Sequence, residues 1–316
     1  MGSLKPKVAI IGAGNVGSTF AFALMVSGSA REIVIVDRNE LRAKGECMDL
    51  NHGLSFTRPA KIYSSGFEGC KDADIVVITA GAKQKPGQSR IDLVQENVTI
   101  FKDIIPRITK YAENAVLLVV TNPVDILTYL TIKISGFPVS RVIGSGTVLD
   151  TSRFRYLISE HCNVDPRNVH AYIIGEHGDT ELAVWSNANI AGMVLARYCP
   201  VCARHCNYKE ELGKIFEDVK NAAYQIIEFK GSTFYAIALA LVRIVEAILR
   251  DENSVLPVST VIDDYYGVKD VCLSTPCLIN KSGIAKLIKL ELSAQEQEQF
   301  KHSADTLKEI IKNIRL

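Results

Sequence analysis

The sequence predicts an α/β protein: a doubly wound parallel sheet followed by an α+β half. Three observations carry this prediction. Short β-branched runs alternate with helix-length segments through the first half of the chain. A glycine-rich turn joins the first run directly to its helix. After about residue 145 strand-like runs thin out and one long helical stretch takes over.

The runs come first. Residues 8–11 read VAII, 33–36 IVIV, 75–78 IVVI and 116–120 VLLVV, and a shorter fifth begins at Val142 and Ile143. They are apolar at every position rather than at alternate ones, which a strand covered on both faces requires. Between them, Val94, Val98, Phe101, Ile105 and Ile108 are spaced four, three, four and three, the period of an amphipathic helix. Pro106 falls inside this pattern, and a kink or break is expected there. Strand–helix–strand alternation implies right-handed crossovers and therefore a parallel sheet. In the second half, a helical stretch from about 210 to 250 is interrupted near Gly231. A last amphipathic helix starts at Ser293, with Glu296 three residues on as its capping box. The reading divides the chain into residues 1–144 and 145–316.

Composition excludes several classes of function. The chain of 316 residues carries 47% hydrophobic and 22% charged residues, with a formal net charge of +1. That balance gives no global field for nucleic acid or an anionic membrane. No apolar run reaches the ~20 residues of a membrane span. The start, MGSLKPK, passes straight into a strand-like run, so no secretory leader is expected. Of the eight cysteines, Cys47, Cys70, Cys162, Cys272 and Cys277 stand singly and read as small buried hydrophobes. Cys199, Cys202 and Cys206 with His205 form a tighter cluster whose spacing could bind zinc or close a disulfide; the favoured reading is a cysteine-rich turn, since structural zinc normally takes two well-separated ligand pairs. No metal is expected, and the cysteine usage suits a reducing, cytoplasmic compartment.

The glycine-rich turn is Gly12-Ala13-Gly14-Asn15-Val16-Gly17. In a strand–turn–helix context the first glycine permits the tight turn and the second lets backbone approach a pyrophosphate. The third lets helix and strand pack closely, and the helix N-terminus faces the phosphates. This is the Rossmann arrangement. Asp37 ends the second run, 20 residues beyond Gly17. A carboxylate there accepts ribose hydroxyls and repels a 2′-phosphate, so NAD is preferred over NADP, with Arg38 beside it as the one contrary charge.

Four further motifs carry chemistry. Gly81-Ala82-Lys83-Gln84-Lys85-Pro86-Gly87-Gln88-Ser89-Arg90 follows the third run, and Thr121-Asn122-Pro123-Val124-Asp125 the fourth. Leu149-Asp150-Thr151-Ser152-Arg153 opens a helix, and Ile174-Gly175-Glu176-His177-Gly178-Asp179 follows a short strand. In this order and at these distances the motifs resemble the L-lactate/L-malate dehydrogenase family, over essentially the whole chain, and most closely its bacterial members. The resemblance implies reversible hydride transfer between NADH and a 2-oxo acid.

Such a reduction needs a proton donor, an anchor for the substrate carboxylate and a positive group over the developing oxyanion. His177 is the candidate donor, because imidazole titrates near neutrality. Asp150 is its carboxylate partner by the resemblance. Asp150 and Arg153 lie three apart on a helix and share a face, so Arg153 can anchor the carboxylate by a planar pair. Arg155 lies about 200° round the helix from Arg153 and points elsewhere. Arg90 ends a Gly/Pro-containing segment suited to a lid and would polarise the carbonyl on closure. Asn122 sits at the carboxyl end of a strand, where open α/β sheets bind ligands. The resemblance adds Ala80, Gly81 and Ser145 near the cofactor and Thr233 in the substrate pocket, and gives Asn122 both roles.

Gln84 decides the substrate. Members that act on malate typically carry Arg at this lid position and those that act on lactate carry Gln. Burying the second carboxylate of oxaloacetate against a neutral amide costs several kcal/mol. Pyruvate and L-lactate are therefore the expected pair, the closing step of fermentative glycolysis, with L-malate or a broader 2-oxo acid as the alternative. Arg155 and His170 match positions that hold fructose 1,6-bisphosphate between subunits in allosteric bacterial members. A homotetramer activated by that phosphate is the matching expectation.

Overall fold

The structure, a computed structural model, describes residues 6–82, 90–198 and 208–314. Its first half is β1 (Lys7–Ile11), α1 (Asn15–Ser27), β2 (Glu32–Val36), α2 (Glu40–His52), β3 (Lys61–Ser64), β4 (Ile75–Ile78), α3 (Arg90–Thr109), β5 (Val116–Val119), α4 (Val124–Ser135) and β6 (Val142–Gly144). These six strands pair in parallel in the order β3-β2-β1-β4-β5-β6. The chain winds outward from β1 to β3, returns, and winds the other way from β4. The reversal lies between β1 and β4, where open α/β sheets place their ligand crevice.

All five runs read from the sequence are strands. β3 went unread because Lys-Ile-Tyr-Ser at a sheet edge carries no continuous apolar signal. Along each central strand, neighbouring residues enter opposite cores. Ala9, Ile11, Val76, Ile78, Leu117 and Val119 face one core, which Phe101 and Ile105 of α3 complete. Val8, Ile10, Ile75, Val77 and Leu118 face the other. This two-sided burial is the reason the strands show no polar alternation. Of the kink or break expected at Pro106, a break is not found: α3 runs through it to Thr109. The proline removes only its own N–H from the ladder, and its carbonyl still accepts the Lys110 N–H at 3.2 Å as the helix ends.

The second half comprises α5 (Val148–Cys162), β7 (Val169–His170), β8 (Ile173–Ile174), β9 (Leu182–Ala183), β10 (Asn189–Ile190), β11 (Met193–Val194), α6 (Leu195–Tyr198), α7 (Tyr208–Lys230), α8 (Tyr235–Leu249), β12 (Ser254–Ile262), β13 (Val271–Asn280), β14 (Gly283–Leu287) and α9 (Ala294–Asn313). The helical stretch divides at Gly231, whose φ of +83° suits a residue without Cβ. Ser293 caps α9 with Glu296 in a complete capping box. Strands are not scarce here, contrary to expectation. β12, β13 and β14 form an antiparallel meander that joins the first sheet through Ser259 opposite Gly144, giving a nine-stranded sheet. Their polar residues (Ser259, Thr260, Ser274, Thr275) hide them from an apolar-run reading, yet all four are buried. Cys47, Cys70, Cys162, Cys272 and Cys277 are buried. Cys199, Cys202, His205 and Cys206 lie outside the described residues. No helix among the described residues is long and apolar enough to cross a membrane.

Candidate active site

At the switch point β1 passes into α1 through the glycine turn. Gly12 has φ +109°, and a Cβ on it would meet the Ala80 nitrogen at 2.8 Å. A Cβ on Gly17 would lie 1.9 Å from the Gly12 carbonyl oxygen, so only glycine lets the helix sit this close to the strand. Gly14 differs: a Cβ there would meet nothing within 4 Å, so no contact within the chain requires glycine at this position. Gly14 is also the N-cap of α1 and offers no side-chain cap, which leaves the first N–H groups of the helix to accept an anion. Asp37 follows β2. Its Oδ2 accepts the Ala13 N–H at 2.6 Å and its Oδ1 the Asn39 N–H at 2.8 Å. Each oxygen keeps a further lone pair for a ribose hydroxyl. A phosphate cradle at a helix start with a carboxylate at the end of the neighbouring strand fits a dinucleotide.

The crevice is bounded by the ends of β4, β5 and β6. Ala80 and Gly81 follow β4, Asn122 follows β5 and is exposed, and Ser145 follows β6 and is 4% exposed. Ser145 is pinned by its N–H to the Val119 carbonyl at 2.8 Å. Sequence reasoning missed Asn97 on α3, which is wholly buried. Its side-chain oxygen accepts the Ala82 N–H at 2.7 Å and its amide donates to the Asn122 carbonyl at 2.9 Å, holding two crevice loops at once. Asn15 reaches across to the Ser232 hydroxyl at 2.9 Å, which sets half-buried Thr233 beside the cofactor turn. Val16 is half-buried on the first turn of α1.

The charged centre assembles behind Ser145. Asp150 on α5 is 2% exposed and uses both oxygens. One meets His177 Nδ1 at 2.6 Å and the other accepts from the Arg153 guanidinium at 2.8 Å. Burial would push the Asp150 carboxyl up, but the His177 ring and Arg153 outweigh it and hold the group below its ordinary value. Burial likewise opposes charge on His177, and the Asp150 carboxylate overcomes it, raising the imidazole to about 9. His177 therefore carries a proton at neutral pH, and the Asp150 bond fixes which nitrogen faces inward. Arg153 and Asp150 share a helix face as the spacing predicted. Arg155 turns away: its Nε donates to the Ala171 carbonyl at 3.0 Å and its guanidinium lies 5.2 Å from the Tyr172 ring centre. His170, on β7, is exposed. Arg90 opens α3, and Gln84 lies outside the described residues.

Two more carboxyls surround His177, and sequence reasoning assigned neither. Glu181 is 7% exposed, and its oxygen lies within 4.8 Å of both the Asp150 oxygen and the His177 nitrogen. Burial and the adjacent Asp150 charge push it to about 9, so it is protonated at neutral pH and adds no charge. Asp125, at the start of α4, accepts the His177 backbone N–H at 2.8 Å. Both residues stand in or beside quoted motifs, but only burial marks them, and burial is not written in local sequence.

The comparisons with known proteins agree with this geometry. The family description "lactate/malate dehydrogenase, NAD binding domain" matches residues 6–144, and "lactate/malate dehydrogenase, alpha/beta C-terminal domain" matches residues 147–315. The chain is 57% identical to an L-lactate dehydrogenase of Acetivibrio thermocellus, over 98% of this chain and 97% of that one. It is 54% identical to an L-lactate dehydrogenase of Thermoanaerobacterium saccharolyticum, over 98% and 99%. Among solved structures it is similar to the minor L-lactate dehydrogenase of Enterococcus mundtii in a ligand-bound form, with TM-score 0.95, 42% identity and 99% of each chain covered. Cofactor turn, charged centre and full-length similarity converge, and the chain belongs to the lactate/malate dehydrogenase family.

Proposed function

We propose that the chain is an NAD-dependent L-lactate dehydrogenase that reduces pyruvate to L-lactate and runs the reverse reaction. The observation that carries this is the Asp150–His177 pair at 2.6 Å with Arg153 on the same carboxylate. Residues 1–144 hold the cofactor and 145–316 supply most of the substrate site. NADH, when bound, supplies the hydride. His177 gives its proton to the carbonyl oxygen as charge develops there, and Asp150 stabilises the ring's charged form before transfer. Arg153 spends one N–H on Asp150 and keeps others for the substrate carboxylate. Arg90 supports the developing oxyanion, Asn122 and Thr233 line the pocket, and Gln84 meets the substrate methyl. Gly12, Gly14, Asn15, Val16, Gly17, Asp37, Ala80, Gly81 and Ser145 hold NAD.

The same reading includes a homotetramer with fructose 1,6-bisphosphate as activator at Arg155 and His170. An exposed His170 and an Arg155 turned away from the reacting groups support a second anion site. Apolar side chains left open on packed helices support assembly: Phe22 and Val26 on α1 are each 55% exposed and Leu239 on α8 65%.

NADH oxidation with pyruvate and with oxaloacetate, each with and without the bisphosphate, tests all of this. Pyruvate preference and stimulation are the expected results. Oxaloacetate preference would overturn the Gln84 argument and indicate malate. An unchanged pyruvate half-saturation would remove the effector site.

A further inference from the structure

Asp125 is a buried carboxylate that the proton transfer above does not use. It stands in the first turn of α4 at 2% exposure. A helix start favours an acidic side chain on its own account. That explanation is insufficient here, because neither oxygen is spent on α4. Oδ2 accepts the His177 N–H at 2.8 Å, from 52 residues away, and Oδ1 accepts the Ser259 hydroxyl at 2.6 Å, from 134 residues away. Ser259 is wholly buried and sits where β12 meets β6. One carboxylate thus ties the backbone of the acid–base residue to the central sheet. Glu176 and His177 on the 175–181 segment and the buried Cys272 thiol on β13 are the other titratable groups that face it.

We propose that Asp125 is a positioning residue for the reaction: it clamps residue 177 to the sheet and supplies a second negative charge that favours the protonated ring. The proposal rests on His177 being the proton donor. The two contributions are separable by chemistry. In Asp125→Asn the amide oxygen still accepts from His177, and the amide N–H can donate to the Ser259 hydroxyl, so the clamp persists without charge. In Asp125→Ala both are gone, and the His177 N–H is left without its buried acceptor. Burial already pushes the Asp125 carboxyl to about 6, so the charge is present at neutral pH and needs both hydrogen bonds to persist there.

The experiment reads the His177 titration by histidine side-chain NMR in wild type and both variants, which requires no turnover. It then reads kcat, KM for pyruvate and NADH affinity in the same proteins. Asp125→Asn is expected to lower the His177 midpoint by at least 0.3 pH units, with a smaller loss of kcat than Asp125→Ala. Asp125→Ala is expected to lower kcat at least about tenfold, with NADH affinity held within about threefold. An unmoved midpoint in both folded variants overturns the charge, and a kcat in Asp125→Ala equal to wild type overturns the clamp. A parallel loss of kcat, NADH affinity and melting temperature would also overturn it, as the mark of a merely structural role. If neither variant folds, Ser259→Ala carries the test: reduced kcat at unchanged NADH affinity supports the clamp, and unchanged kcat overturns it. A wild type that titrates as described but does not reduce pyruvate would fail the functional reading and leave the clamp standing.

Discussion

On the proposed reading, the two halves of the chain recognise their ligands in different materials. In residues 6–144 the glycine turn, the strand ends and the start of α1 work through backbone. Their side chains matter chiefly by being absent, and among the described residues Asp125 is the only buried one with a charge-bearing side chain. In residues 147–314 the buried set includes Asp150, Glu176 and Glu296, beside a Glu181 held neutral. Backbone recognition needs shape and costs little desolvation. Buried charge strengthens every electrostatic interaction inside the site but must be paired to persist. The halves should therefore fail differently when altered.

The sharpest break is Asp150→Asn. The substitution keeps the shape and removes the charge that holds His177 protonated and in the right tautomer, and should lower kcat about 10²–10⁴-fold. Steady-state kinetics with fluorescence-measured NADH affinity checks it. Cofactor binding should be nearly untouched if the division of labour holds.

The pH profile is next in size. With His177 held at about 9, pyruvate reduction needs the protonated ring, so kcat/KM should fall about tenfold per pH unit above 9. Lactate oxidation needs the neutral ring and should rise through the same interval. The sign follows from a folded value raised above 6.5. The same shift contributes stability below 6.5 that is lost as pH rises through 9.

The first half gives smaller, cleaner effects. Gly14→Ala places a methyl in open space, so melting should not change, while NADH affinity should drop about tenfold, ~1.4 kcal/mol. Gly17→Ala drives a methyl into the Gly12 carbonyl and should cost ~1–3 kcal/mol of stability by calorimetry. If the two glycines exchanged effects, the cofactor would lie elsewhere on the turn.

The same contrast explains what could be read from sequence. The parallel sheet was legible because central strands buried on both faces become continuous β-branched runs, and each run proved to be a strand. The Asp150/Arg153 pair was legible because helix periodicity converts spacing three into a shared face. β12 and β13 were not, since serines and threonines interrupt their apolar runs and only the fold buries those residues. Asp125 and Glu181 were invisible for the same reason: a carboxylate is read as solvated until the fold buries it. Pro106 did not end the helix, because a proline removes only its own N–H from the ladder and the hydrogen bonds on either side remain.

The central sheet works as a continuous beam. β6 of the first half pairs with β12 of the second, Ser145 donates to Val119 across the join, and the Ser259 hydroxyl of β12 donates to Asp125 of α4 at 2.6 Å. A hinge at this join would have to tear those bonds open. The span between the cofactor crevice and the acid–base pair is therefore set when the chain folds, and each catalytic cycle inherits that distance instead of re-creating it.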